Sequence, residues 1–143
     1  MIKVMATGVF DILHLGHIHY LKSSKSFGDY MVVVIATDAM AKKHGKELIF
    51  SENYRKEMIS SIRYVDEVII GQETDIYKTV EKVRPDIITL GFDQNFDEQT
   101  IENECEKRGL HVSVKRCPKF SSDEPVGTRF IRRAILERGE LKN

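Results

Sequence analysis

The residues best placed to do chemistry are Gly8, Val9, Phe10, Asp11, His14, Leu15, Gly16 and His17, within the run Thr7-Gly8-Val9-Phe10-Asp11-Ile12-Leu13-His14-Leu15-Gly16-His17. Two imidazoles three residues apart, with a glycine between them, can present N–H donors to one anion. The apolar run Ile2 to Met5 reads as a strand, and Ile18 to Phe27 reads as a helix with Tyr20 and Leu21 on its apolar side. The histidines therefore stand where a first strand turns into a first helix. Unpaired N–H groups and the dipole favour phosphate at such a helix N-terminus. Gly8 lets the backbone come close to a ligand. A helix beginning near Gly16 turns both rings toward whatever sits at its N-terminus.

The elements that must position this turn alternate along the chain. Tyr30 to Thr37 is a β-branched apolar run that reads as a buried parallel strand. Asp38 could cap the short helical segment after it, and a basic loop, Lys42 to Lys46, follows. Ser51 caps a helix whose apolar face is Met58, Ile59 and Ile62. Glu67 to Ile70 is a third strand. Asp75 caps a helix through Val83 that Pro85 ends. Asp86 to Leu90 is a fourth strand, and Asp97 to Arg108 is helical with Gly109 as its stop. Leu110 to Val114 reads as strand five, and Pro118 to Pro125 as a polar loop. Val126 to Arg138 is the last helix, with Phe130, Ile131 and Ile135 inward. Strictly alternating strands and helices predict an α/β fold: one five-stranded parallel sheet with helices on both faces. A single domain over residues 1–143 accounts for the chain.

Composition narrows the function. The formal net charge is zero, which gives no global case for nucleic acid. The longest apolar run, Met31 to Ala36, is too short to span a bilayer, and no membrane association is expected. No signal-peptide pattern opens the chain. Cys105 and Cys117 form no metal-ligand spacing, and no metal-binding residue is assigned. A reduced, cytoplasmic protein is the expectation.

The whole run from Gly8 to His17 resembles the signature of the cytidylyltransferase-like nucleotidyltransferases, His-x-Gly-His after a G-x-F-D turn. The match falls at Gly8, Phe10, Asp11, His14, Gly16 and His17. The resemblance implies a Rossmann-like, three-layer α/β/α fold with strand order 3-2-1-4-5. In that order the Gly8–His17 turn lies beside Gly91-Phe92-Asp93-Gln94, where the chain reverses direction and ligands bind. It implies transfer of a nucleoside monophosphate from a triphosphate, with His14 and His17 as imidazolium donors over the α-phosphate. Gly8, Val9, Phe10, Leu15 and Gly16 would cradle the nucleotide. A divalent metal, Mg²⁺ by expectation, would bridge the phosphates. Asp11 is a candidate on the substrate side, an indirect metal partner, or a brace for the turn. Lys46, Arg55 and Arg63 are the candidate cations for phosphate and acceptor. Thr128 and Arg129, at the start of the last helix, match the family's phosphate-gripping loop. A homodimer is expected.

Two branches of the family divide the chain. Val4 to Val68, including Arg63-Tyr64-Val65-Asp66-Glu67-Val68, is similar to glycerol-3-phosphate cytidylyltransferases. Their acceptor lysines are His44 and Tyr77 here, and their arginine-led Ser/Thr loop is replaced by Arg116 to Ser122. The second half instead resembles archaeal-type FAD synthases, through Pro85-Asp86-Ile87-Ile88, Leu90 to Gln94, Phe96-Asp97-Glu98 and Cys117-Pro118. That likeness implies ATP as the nucleotide and FMN as the acceptor. Asp93 would then approach the nucleotide's sugar or base, and Tyr77, Phe92, Phe96 and Phe120 could line a flavin site. Glycerol-3-phosphate cytidylyltransferase stays the alternative. A sugar adenylyltransferase of the lipopolysaccharide type and a nucleotide-binding regulator without turnover also share the first motif.

Overall fold

Apolar strands alternate their side chains between two faces, and here both faces are covered. The computed structural model describes residues 1–124 and 127–139. Its strands are β1 (Lys3–Gly8), β2 (Tyr30–Ile35), β3 (Glu67–Ile70), β4 (Ile87–Leu90) and β5 (Ser113–Arg116). They form one sheet in the order β3-β2-β1-β4-β5, every pair parallel. The helices are α1 (Leu15–Lys25), α2 (Asp38–Lys43), α3 (Glu52–Ser60), α4 (Ile76–Val83), α5 (Glu98–Lys107) and α6 (Thr128–Glu137). One core holds Met5, Val32, Val34, Ile88 and Leu90 against Val80 and Val83 of α4 and Cys105 of α5. The other holds Val4, Ala6, Met31, Val33 and Ile35 against Leu21 of α1 and Ile59 of α3. The chain first builds outward from β1 to β3, then returns to place β4 on the other side of β1. Gly8 and Leu90 therefore end the two strands that flank the reversal.

Those two strands part at their carboxyl ends. The last paired residues are Ala6 and Thr89. Beyond them the Tyr20 hydroxyl of α1 accepts from Thr7 N (3.2 Å) and donates to the Thr89 carbonyl (2.9 Å). The phenol thus replaces a backbone pairing and satisfies both groups, and burial pushes its pKa up to about 12. Below it, Ser24 Oγ and Thr89 Oγ1 share a buried hydrogen bond of 2.7 Å, with Cys117 Sγ 3.6 Å from Ser24.

Several boundaries differ from the sequence reading, each for a physical reason. Thr37, not Asp38, caps α2, through a 3.0 Å bond from Met40 N; β2 already ends at Ile35. Lys42 and Lys43 belong to α2 rather than to a loop. β5 begins at Ser113, because Leu110 is apolar for another purpose. Its N–H closes α5 onto the Cys105 carbonyl (2.9 Å) and its side chain enters the core. The last helix was read from Val126, which lies outside the described residues. Its expected inward residues are not buried: Phe130 is 55% and Ile135 57% exposed, while Ile131 is half-buried. α6 is tied down instead by Arg132, whose Nη2 donates to the Glu47 carbonyl (2.6 Å).

The carboxyl edge of the sheet is held by Arg55, which is wholly buried. Its Nε donates to the Phe50 carbonyl (3.1 Å), Nη1 to the Val9 and Ala36 carbonyls (2.8 and 2.9 Å), and Nη2 to Asp38 Oδ1 (2.7 Å). One planar group thereby joins the ends of β1 and β2 to the loop before α3. This corrects the reading of Arg55 as a substrate cation, since its donors are spent inside the protein. Replacing Arg55 by Met leaves several acceptors without a partner, at about 1–3 kcal/mol each where water cannot reach them. We expect a loss of at least about 2 kcal/mol in urea unfolding, with an unchanged slope. A change within the error of the wild type would contradict the clamp.

Candidate active site

The turn between β1 and α1 is shaped by Phe10. It takes a left-handed conformation (φ 54°) and buries its ring, which a non-glycine residue adopts only when the surroundings enforce it. A methyl group at Gly8 would stand 2.6 Å from that ring. Gly8 is therefore needed to seat Phe10, a tighter constraint than the ligand approach read from the sequence. The Phe10 ring lies 5.4 Å from the His17 ring, edge-on, and 6.3 Å from Tyr20, stacked. It forms the wall against which His17 rests.

The two histidines cap their own helix. His14 is the N-cap of α1, and its Nδ1 accepts from Gly16 N at 3.0 Å. His17 Nδ1 reaches back to accept from His14 N at 3.4 Å. This is a capping box with imidazoles in place of the usual hydroxyl and carboxamide. The rings stack at 3.8 Å. A ring nitrogen that accepts carries no proton, so each neutral ring holds its proton on Nε2, the nitrogen not used by the cap. Burial, the neighbouring His14 and, in opposition, Asp11 bring the His17 pKa down to about 3; burial also lowers that of His14. The donors are thus neutral Nε2–H groups, not the imidazolium ions expected from the sequence. A proton on Nδ1 would break the cap.

Asp11 is 8% exposed, and both carboxylate oxygens are used, accepting from Ile49 N and Phe50 N at 2.9 Å each. Of the roles left open for it, the structure gives it the brace and corrects the expectation of a place on the substrate side. Lys46 is exposed in the same α2–α3 loop, four residues before the bonded Phe50. Asp93 is exposed on the turn after β4, on the sheet edge that also carries Gly8. That turn is clamped by Arg116, which donates to the Gly91 and Gln94 carbonyls (2.9 Å each) and the Phe96 carbonyl (2.6 Å), and pairs with Glu98. Thr128 and Arg129 form the first turn of α6, where no side chain caps the helix. Arg132, one turn on, reaches the Glu47 carbonyl and stands 3.9 Å from Asp11.

Arg63 is the residue the fold sets apart. It lies on the loop before β3, with its guanidinium on the ring and hydroxyl of Tyr64. In a parallel sheet every strand begins at one edge and ends at the other. Arg63 belongs to the starting edge and the histidines to the finishing edge, so the expected contact of Arg63 with the same ligand is corrected. Val9 gives its carbonyl to Arg55, while Leu15 is exposed at the head of α1. Tyr20, Arg116 and Arg132 were not singled out as site residues from the sequence. Each acts through a partner distant in the chain, and no local spacing marks it.

Beside the site, on the α4–α5 face, lies an apolar pocket lined by Thr7, Tyr77, Phe96 and core side chains. Phe92 and Phe120, proposed with them for a flat ring, lie elsewhere. Phe92 is under the Lys119 ammonium, and Phe120 packs on His19 of α1. Among the described residues no three His, Cys, Asp or Glu side chains converge to hold a metal, and no helix is long and apolar enough to cross a membrane.

Comparison with known proteins agrees with this geometry. The sequence profile of the cytidylyltransferase-like family matches residues 5–134. The chain is 57% identical to the FAD synthase of Picrophilus torridus over 135 residues, 94% of this chain and 96% of that one. It is 51% identical to the FAD synthase of Thermoplasma volcanium over 137 residues, 96% of each. Among solved structures, the lipopolysaccharide core biosynthesis protein from Thermoplasma volcanium GSS1 superposes with a TM-score of 0.83 at 55% identity, covering 85% of this chain and 99% of that one. Pantoate-beta-alanine ligase from Francisella tularensis, at 17% identity and a TM-score of 0.63, covers 92% of this chain and 64% of that one and shares the fold. A signature turn at the reversal point of the sheet, and likeness that runs nearly end to end, place the protein in the cytidylyltransferase-like family, to which it belongs together with the archaeal FAD synthases.

Proposed function

We propose that the protein moves AMP from ATP to FMN, giving FAD and pyrophosphate. An oxygen of the FMN phosphate attacks the α-phosphorus in line, and the bond from that phosphorus to the bridging oxygen of the β-phosphate breaks. The observation that carries the chemistry is the stacked histidine pair at the head of α1, with both Nδ1 atoms occupied by the cap. The two Nε2–H groups, standing at the positive end of the α1 dipole, form one donor pair for the charge that builds on the α-phosphate. FMN phosphate is ionised at neutral pH and needs no strong base, in keeping with a turn that has no nucleophilic Ser or Cys. The acceptor is FMN because the relatives at 51–57% identity are FAD synthases.

In this reading Gly8, Val9, Phe10, Leu15 and Gly16 frame the nucleotide, Asp93 meets its sugar or base, and Lys46, Thr128 and Arg129 meet phosphate. Mg²⁺ would come with ATP and neutralise phosphate charge, as suits a small hard cation, since among the described residues no cluster of His, Cys, Asp or Glu is built to hold one. The protein works in the cytoplasm as a homodimer, without nucleic acid or membrane. Resemblance supports the homodimer, the cysteine pattern and the lack of a signal pattern the cytoplasm, the zero net charge the lack of nucleic acid, and the short apolar runs the lack of a membrane span. A second reading, a phosphorylated sugar as acceptor, draws on the likeness to the lipopolysaccharide core biosynthesis protein at 55% identity. A matrix of ATP and CTP against FMN, glycerol 3-phosphate and sugar phosphates, read by product mass, tests both. FAD from ATP and FMN alone is the expected result. A sugar nucleotide or CDP-glycerol without FAD would replace it.

Two further outcomes follow from the double duty of the histidines. His14→Asn and His17→Gln keep an acceptor for the cap but lose the Nε2 donor. Each should hold wild-type thermal stability to within a few degrees and lose about a hundredfold or more in kcat. His14→Ala should lose the rate and about 1 kcal/mol of stability besides. Retained turnover in both conservative variants would remove the catalytic role. The second outcome concerns pH. An unfolded His titrates near 6.5, but His17 in the fold titrates near 3. Between those values the unfolded chain binds more protons, so stability is full above about pH 6.5 and declines as pH falls toward 3. Urea unfolding at a series of pH values should show a slope in that window that is smaller in His17→Gln. Equal slopes would contradict the buried neutral ring.

A further inference from the structure

The pocket on the α4–α5 face has a form that the transfer chemistry does not require. Its floor is Met5, Ile88 and Leu90, and its walls are Tyr77, Phe96 and Ile101, with Thr7 at its upper end. The pocket opens to solvent, and its cavity volume of about 30 Å³ is on the scale of a methyl group. Its lining is apolar, and small apolar cavities stay dry and accept apolar groups. Outside it, Phe96 is 49% and Ile76 42% exposed, so apolar surface is left in water around the mouth. Tyr77 is a fixed wall: the Arg108 guanidinium lies 5.0 Å from its ring centroid and is itself held by Glu81 and Asp75. Burial raises the Tyr77 phenol pKa, so the wall stays uncharged.

The pocket also shares a strand with the catalytic turn. Thr7 lines it and precedes Gly8, where β1 ends and the turn to His14 and His17 begins. A ligand anchored there can cross the end of β1 and bring its other terminus to the histidines on the opposite face. A small polar acceptor would leave this surface in water. A flat ring with an apolar, methylated edge would cover it.

We propose, on the basis of the FAD synthase reading above, that this pocket takes the dimethylbenzene edge of the flavin. One methyl group fills the cavity, the ring lies across Tyr77 and Phe96, and the ribityl chain carries the phosphate over the end of β1. The pyrimidine edge then faces water. The pocket thus decides which ring substituents the acceptor can carry, apart from the chemistry at the phosphate. A misfit of about one methylene in such a pocket changes kcat/KM by 10–200-fold.

The test uses full-length protein with Mg²⁺, ATP, and either FMN or its analogue with a dimethylamino group in place of the 8-methyl. Wild type should use the analogue at least about tenfold less well in kcat/KM, and Ile101→Ala, which widens the cavity, should narrow that gap. Phe96→Ala and Tyr77→Leu should raise KM for FMN about tenfold or more while KM for ATP moves less than about twofold. Phe96 is half exposed, so its variant keeps the fold, which a thermal melt checks. If wild type makes FAD but both variants keep a normal KM for FMN, or the analogue serves as well as FMN, the pocket assignment is overturned and the function stands. If wild type makes no FAD, the function falls and the assignment with it.

Discussion

The carboxyl edge of this sheet depends on two guanidinium groups that face inward. Arg55 gathers the carbonyls of Val9, Ala36 and Phe50. Arg116 gathers those of Gly91, Gln94 and Phe96. A strand that ends must leave backbone acceptors without ladder partners, and burying them unpaired is costly. A rigid fork of five donors can collect several at once, which an ammonium of three donors cannot do as well. Each arginine is balanced by one carboxylate, Asp38 for Arg55 and Glu98 for Arg116. The two loops that frame the site are therefore held by charge-assisted bonds rather than by packing. Asp11 completes the frame from the opposite sign, by accepting two N–H groups of the Arg55-bound loop.

Within that frame the histidines serve structure and chemistry with different atoms. Nδ1 closes the helix and Nε2 is left for the ligand. The cap selects the tautomer, and the low pKa of His17 keeps it. A donor held in this way needs no reorganisation when charge develops, which is the condition for effective electrostatic catalysis. Phe10 and Tyr20 support it from beneath. Phe10 walls His17, and the Tyr20 hydroxyl keeps the parting strands satisfied at the place where the ligand must enter.

Much of this could be read from the chain, where the signal is local. Ser51 and Asp75 cap their helices as their types and positions suggested, and β3 spans Glu67 to Ile70. The five-stranded parallel order followed from the family resemblance. What was missed is non-local. Arg55 looked like a surface cation because nothing beside it in sequence reveals carbonyls 19 and 46 residues away. Arg63 looked near the site because its neighbours match a known stretch, yet the sheet carries it to the far edge. Gly8 was read for a ligand when its first neighbour is the Phe10 ring. In α6 the apolar spacing suggested burial, but Phe130 and Ile135 remain in water, while Arg132 binds the Glu47 carbonyl.

The central claim is that backbone bonds hold both histidines as neutral Nε2–H donors. ¹⁵N spectroscopy of the protein labelled in histidine tests it most directly, because each ring nitrogen reports its own proton. At neutral pH, His14 and His17 should both show a protonated Nε2 and a bare Nδ1, and His17 should keep that pattern down to about pH 5, well below the range of a free imidazole. A proton on Nδ1 of either ring at neutral pH, or a doubly protonated His17 near pH 6, would contradict the account.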